Sequence, residues 1–230
     1  MSHALPELVP VLLALVFSMP FALTGTLILV IDMVTEQLPA ISFVYEPAEA
    51  QLMLLPPRDR KVDHLVDAPL LLYVGVLMPI LLSLAACGAF FLAMAQRGYP
   101  LSALLYRSDL WAEPSPEAAA ALASGVSAYF FTLVLTQAGV HAFLAKTNRT
   151  SIFVHGVCGN RVTLAGAAVA LGVACLCIFP LQGDFFGTGP MAQATSWVLW
   201  LAFALVSLPL TEAAKAAARR WPHTARRWLW

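Results

Sequence analysis

The chain has 230 residues, 60% of them hydrophobic and 11% charged, with a mean hydropathy of +0.78. A soluble domain carries roughly twice that charged fraction, so the composition excludes a water-soluble globular protein and points to an all-α integral membrane protein. Basic and acidic residues balance at 13 each, and this zero net charge argues against nucleic acid as a partner.

Six apolar segments follow one another. Residues 5–19 make 15 residues, about 22 Å as a helix, which falls short of a hydrocarbon core of roughly 30 Å; they read as a truncated span. Residues 22–44 are long enough but are interrupted by Gly25, an acidic pair and Pro39. A short loop around Met19, Pro20 and Phe21 joins the two as a hairpin. Residues 69–96, 118–145, 162–181 and 193–210 each have the length and apolarity of a spanning helix. No cleavable signal peptide is indicated, because the N-terminus has no basic region and its apolar stretch contains Pro10 and Pro20. Cys87, Cys158, Cys175 and Cys177 lie in or beside apolar stretches without metal-ligand spacing, and read as buried reduced thiols.

The basic residues set the orientation. Eleven of the thirteen fall in three places: the 46–68 loop, the 146–161 loop and the tail after residue 210; Arg97 and Arg107 are the others. Six spans put those three regions on one side, which the positive-inside rule makes cytoplasmic, with both termini. Trp197 and Trp200 near a span start, and Trp221, Trp228 and Trp230 beyond the last span, are expected at the membrane interface.

The run from Val30 to Ser42 carries the chemistry. It places Asp32 and Glu36 four residues apart in a segment apolar enough to enter a bilayer. An uncompensated carboxylate at bilayer depth costs several kcal/mol on the order of the insertion scales, so such groups face a polar cavity or an ion path. On a regular helix the spacing sets both on one face, where two carboxylates suit a small hard cation. The competing reading is a structural polar network between helices. Thr35 either adds a hydroxyl ligand or bonds back to its own helix. Gln137 and His141, four apart in the fourth span, read first as an interhelical polar pair and second as accessory ion contacts.

Several stretches resemble the C-terminal half of the membrane domain of P-type cation-transporting ATPases, of the kind found in the alpha subunits of the sodium/potassium and proton/potassium pumps. The most specific is Ile31-Asp32-Met33-Val34-Thr35-Glu36-Gln37-Leu38-Pro39-Ala40-Ile41-Ser42-Phe43-Val44-Tyr45-Glu46, which is similar to the sixth helix of that family and the loop after it. Pro6-Glu7 followed by Pro10 resembles the middle of the fifth helix. Lys146-Thr147-Asn148-Arg149-Thr150-Ser151-Ile152-Phe153, with Asn160-Arg161, resembles the loop between the eighth and ninth. Thr211, Glu212 and Lys215, then Arg219-Arg220-Trp221-Pro222, resemble the end of the tenth. The resemblance implies helices five to ten, the first truncated and the second unwound near Asp32.

By the same resemblance Glu7, Asp32 and Glu36 fall on cation-ligand positions, with Na+ or K+ as the transported ions. Glu7 taken alone is also compatible with a surface position on a frayed N-terminus. His141 sits near an eighth-helix position that is usually aspartate, and Val169 and Ala170 occupy a region where sodium pumps carry a glutamate pair, which puts three-sodium transport in doubt. The family's Asp-Lys-Thr-Gly phosphorylation motif is not found in the chain, so hydrolysis of ATP by this polypeptide alone is not expected; Mg2+ and ATP would bind absent domains.

The implied organisation is an ion-site hairpin at 1–45, a cytoplasmic loop at 46–68, a four-helix transmembrane domain at 69–210 and a basic, aromatic tail at 211–230. The chain then reads as a fragment or one half of a split pump in the plasma membrane, completed by an N-terminal pump half. A beta-type subunit is a weaker expectation, because the usual Ser-Tyr-Gly-Gln run is absent from the 99–117 loop. The alternative is a non-enzymatic, pump-derived interaction or regulatory subunit; a passive channel or secondary transporter is weaker, since the halves show no inverted repeat.

Overall fold

The computed structural model describes residues 4–49, 68–147, 150–191 and 193–220; His3, the charged run at 58–63, Arg149, Trp221, Trp228 and Trp230 lie outside the described residues. The described chain is helical. In order come α1 (Ala4–Phe17), α2 (Gly25–Tyr45), α3 (Leu70–Gln96), the short α4 (Leu101–Leu104) and α5 (Ser108–Ala112), α6 (Pro116–Leu144), the one-turn α7 (Ile152–His155), α8 (Arg161–Ile178) and α9 (Gln193–Arg220). Among the described residues no β-strand forms, and Gly183 and Thr188 make an isolated bridge.

Five of these helices, α2, α3, α6, α8 and α9, are long and apolar enough to cross a membrane. At 14 residues α1 spans about 21 Å, so the expected sixth span is present as a helix too short to cross a bilayer. Two boundaries differ from the hydropathy reading. The last helix runs ten residues past 210, to Arg220. The acidic stretch of α2 does not unwind; it widens into a π-turn at Ile31–Thr35.

The bundle is built around α6, which is buried on every side from Ser124 to Thr136. Its main contact is with α3, and α9 packs against both; α1 lies on α3, and α8 fills the space between α6 and α2. The α2–α8 contact is close because Gly166 has no side chain: a Cβ there would sit 3.1 Å from the Leu38 carbonyl. Where the helices turn at the end bearing residues 17–24, the connection at 181–191 acts as the tie. Thr24 caps α2 and donates to the Phe186 carbonyl at 2.9 Å, while Ser127 of α6 donates to Gly189 at 2.8 Å.

Backbone groups inside a membrane need a partner, and Pro10 removes one. It has no N–H to give to the Pro6 carbonyl one turn earlier. The buried Tyr129 hydroxyl of α6 donates to that carbonyl instead, fixing the first turn of α1.

The opposite end of the bundle is held by a polar knot. Glu46, just past α2, takes Lys146 at 3.5 Å, His155 at 3.0 Å and the Asn160 amide at 2.8 Å. Asn160 also caps α8 through Oδ1, accepting from Val162 and Thr163, and donates to the Ser42 carbonyl at 2.9 Å. Glu49 accepts the backbone and hydroxyl of Thr150, and Glu212 accepts the Ile152 N–H, each at 3.1 Å. The fully buried Lys215 donates to Leu144 and Thr147 and lies 3.5 Å from Glu212. Residues 145–147 and 150–160 are thereby bound to both α2 and α9. Burial pushes the Glu46 carboxyl up, but the contacts with Asn160 and His155 and the Lys146 charge outweigh it, holding the group below the usual carboxylate range. The cysteines are unbridged, but of the four expected to be buried only Cys177 is: Cys87 and Cys175 are partly exposed and Cys158 is exposed.

Two outcomes follow from these contacts. Tyr129→Phe strands the Pro6 carbonyl and should cost about 1–2 kcal/mol, read as faster amide exchange at the start of α1 in nanodisc-embedded protein. Glu46→Gln should lower stability at pH 7 by about 2 kcal/mol, since it leaves Lys146 buried without its counter-charge. Because the folded Glu46 pKa lies below 4.5, its stabilisation is complete above that value and fades as pH falls through the folded pKa. Glu46→Gln should therefore flatten the loss of thermal stability on acidification, measured by melting at stepped pH.

Candidate functional site

The site begins with a proline. Pro39 in α2 cannot donate to the Thr35 carbonyl, and its ring crowds that carbonyl. The preceding turn responds by widening: the Glu36 N–H reaches back five residues to Ile31, and the Thr35 hydroxyl donates to the same Ile31 carbonyl at 3.1 Å. The turn at Tyr73–Leu77 in α3 is also π-helical and also precedes a proline, Pro79. A third π-turn, Gln137–His141, lies in α6 with no proline after it in that helix. Such turns add a residue to the helix circumference and re-aim the side chains beyond them.

The turns of α2 and α6 face each other across a cavity of about 190 Å³, lined by Thr35, Glu36, Pro39 and Phe43 on one side and Gln137 and His141 on the other, with alanines between. That volume corresponds to about six waters at their liquid share, enough for a monovalent ion with part of its hydration. A carboxylate, a hydroxyl, an amide and an imidazole thus converge from two helices on one space. Among the described residues no group of three or more His, Cys, Asp or Glu is placed to hold a metal ion, so the donor set here is mixed and oxygen-rich.

The structure brings four of the sequence candidates together, Thr35, Glu36, Gln137 and His141. Asp32 is half-buried within the π-turn, and Glu7 is buried in the first turn of α1 beside the Pro6 carbonyl that Tyr129 holds. Neither lines the cavity. The extra residue in the turn explains the separation of Asp32 from Glu36, because four-residue spacing shares a face only on a regular α-helix. Phe43 and Pro39 belong to the wall as well; the proline, read through its missing N–H, was the available signal. The indole nitrogen of Trp200, a residue expected at the membrane interface, is buried against Gly139 in the α6 turn.

Comparison with known proteins bears on this geometry. The family model described as "Cation transporting ATPase, C-terminus" matches residues 20–217. Similar proteins include Potassium-transporting ATPase alpha chain 2 of Oryctolagus cuniculus, 26% identical over 94% of this chain and 21% of its own length. Sodium/potassium-transporting ATPase subunit alpha-2 of Gallus gallus is 25% identical over 95% of this chain and 23% of its length. Potassium-transporting ATPase alpha chain 1 of Xenopus laevis is 28% identical over 95% and 22%. The chain spans about a fifth of the length of the curated relatives it matches. With the family model running through all five membrane-length helices, this chain belongs to the cation-transporting ATPase C-terminal family.

Proposed function

We propose that the chain is the cation-binding transmembrane part of an ATP-driven P-type pump, with the α2–α6 cavity as an ion site for Na+ or K+. The observation that carries this reading is Glu36, a carboxylate within a membrane-length helix that lines a cavity together with Thr35, Gln137 and His141. Its oxygens, the Thr35 hydroxyl and the Gln137 amide oxygen are hard donors for an alkali cation, and His141 closes the far wall. Broken or irregular helices with clustered polar groups are the usual midplane architecture of ion carriers.

In this reading Asp32 and Glu7 extend the acidic set from the π-turn and from α1, so that a cation entering or leaving the cavity meets further carboxylates. The short α1 counts as the first of six membrane helices. Alternating exposure is driven by a partner carrying the phosphorylation and nucleotide machinery, where Mg2+ and ATP act; an N-terminal pump half is the partner of that chemistry. The knot end of the bundle, with its lysines and arginines, is cytoplasmic, as are both termini, in a plasma membrane.

Two measurements test the proposal. In nanodiscs the melting temperature should rise with K+ or Na+ concentration through linked binding, about 2.7 kcal/mol at a hundred times the dissociation constant; Glu36→Gln should remove the rise. A cation response that survives Glu36→Gln eliminates this cavity as the ion site. Coexpression with an N-terminal pump half should give cation-stimulated ATP hydrolysis, and Asp32→Asn should abolish the stimulation. Unchanged stimulation in Asp32→Asn would remove that residue from the ligand set.

A further inference from the structure

Two of the three π-turns are explained by the proline that follows them. The turn at Gln137–His141 is not, and it carries two of the cavity's polar side chains. What it does have is an unusual neighbour. Gly139, at its centre, lies so close to Trp200 of α9 that a Cβ there would come within 3.1 Å of the indole nitrogen. That nitrogen is inaccessible to solvent and, among the described residues, has no hydrogen-bond partner. An indole N–H buried in a membrane bundle without an acceptor is costly, so packing has to hold it there. The indole edge sits on the glycine at the centre of the π-turn, in which the Ala142 N–H reaches back five residues to Gln137. The ring is held from behind, edge-to-face on Trp197, which in turn packs edge-to-face on Phe131 of α6.

We propose that Trp200 is a positioning residue for the cavity: its indole, seated on Gly139, holds the α6 turn in π register and so aims Gln137 and His141 at Glu36. The inference rests on the ion-site reading above for its effect on cations, though not for its effect on the turn. It makes α9, which contributes nothing to the cavity lining, a determinant of cation affinity. Gly139 is the complementary requirement, because any side chain there displaces the indole.

The test uses the full chain in nanodiscs, with K+ as the probe. Trp200→Phe keeps a ring and removes the N–H; Gly139→Ala keeps the N–H and pushes it away. Each should weaken the K+ affinity read from the melting shift about five-fold, the order expected for loss of one buried packing contact, and should move the 15N resonances of the His141 ring. The double variant should do no more than either single one, since both remove the same contact. In the unmodified protein the Trp200 indole proton should exchange slowly and show a nuclear Overhauser contact with the Gly139 α-protons, a readout that needs no variant to fold. Lack of that contact, an unmoved His141 in Trp200→Phe, or additive effects in the double variant would each overturn the inference. If Glu36→Gln leaves the K+ response intact, the ion-site reading falls while the His141 resonances still decide the role of Trp200.

Discussion

A backbone carbonyl deprived of its donor inside a membrane must be answered by another group, and the prolines of this bundle make that demand repeatedly. Pro10, Pro39, Pro79 and Pro209 all sit within helices, each withholding the N–H that the residue four places earlier expects. The responses differ. At Pro10 the bundle sends a hydroxyl from another helix, Tyr129, to the exposed carbonyl. At Pro39 and Pro79 the preceding turn widens instead. One response rigidifies and brings two helices together; the other opens a helix and turns its side chains to new directions. The cavity lies where the second response was used in α2.

The same contrast divides the bundle along its length. At the knot, nearly every polar group is answered by a side chain of opposite character from a different element: Glu46 by Lys146, His155 and Asn160, Glu212 by Lys215 and the Ile152 amide. Removing any one leaves another buried and unmatched, which is why such networks hold a single arrangement. From one to three turns inward, from Phe43 to Glu36, the walls are alanines, a proline and a few polar tips around open space. A bundle clamped at its end and loose further inward confines rearrangement to the loose part.

Hydropathy made the helices legible, because a stretch that enters a bilayer must be apolar throughout and few other constraints imitate that pattern. It also located the α1–α2 turn through Met19 and Pro20. It placed the end of the last apolar segment ten residues before the end of α9, since Glu212 and Lys215 look like an exit into water when judged singly; the pairing with Glu212 and the carbonyl of Leu144 keep Lys215 buried in a continuous helix. It could not separate Asp32 from Glu36, because periodicity assumes a regular helix and the widening arises from a proline three residues beyond Glu36. Gln137 and His141 were visible as a spaced pair, whereas Trp200 was hidden: aromatic residues near a span end suit an interface equally well, and the small residue that receives the indole lies 61 positions away.

The two ends of α2 are what relate knot and cavity. At one end Thr24 is tied to Phe186, and at the other Ser42 and Glu46 are tied to Asn160. Between them Gly166 brings the α8 backbone against Leu38 and Pro39, so the stretch below the π-turn cannot slide along α8 without a backbone clash. The Ser42 hydroxyl and Thr163, 2.9 Å apart, add a further tie on that face. The segment from Leu38 to Glu46 is therefore a rigid extension of α8, and the segment from Gly25 to Val30 belongs to the opposite end of the bundle. The turn at Ile31–Thr35 is the joint between them. Glu36 lies at the clamped edge of that joint, so its place beside Gln137 and His141 is set by the ties to α8.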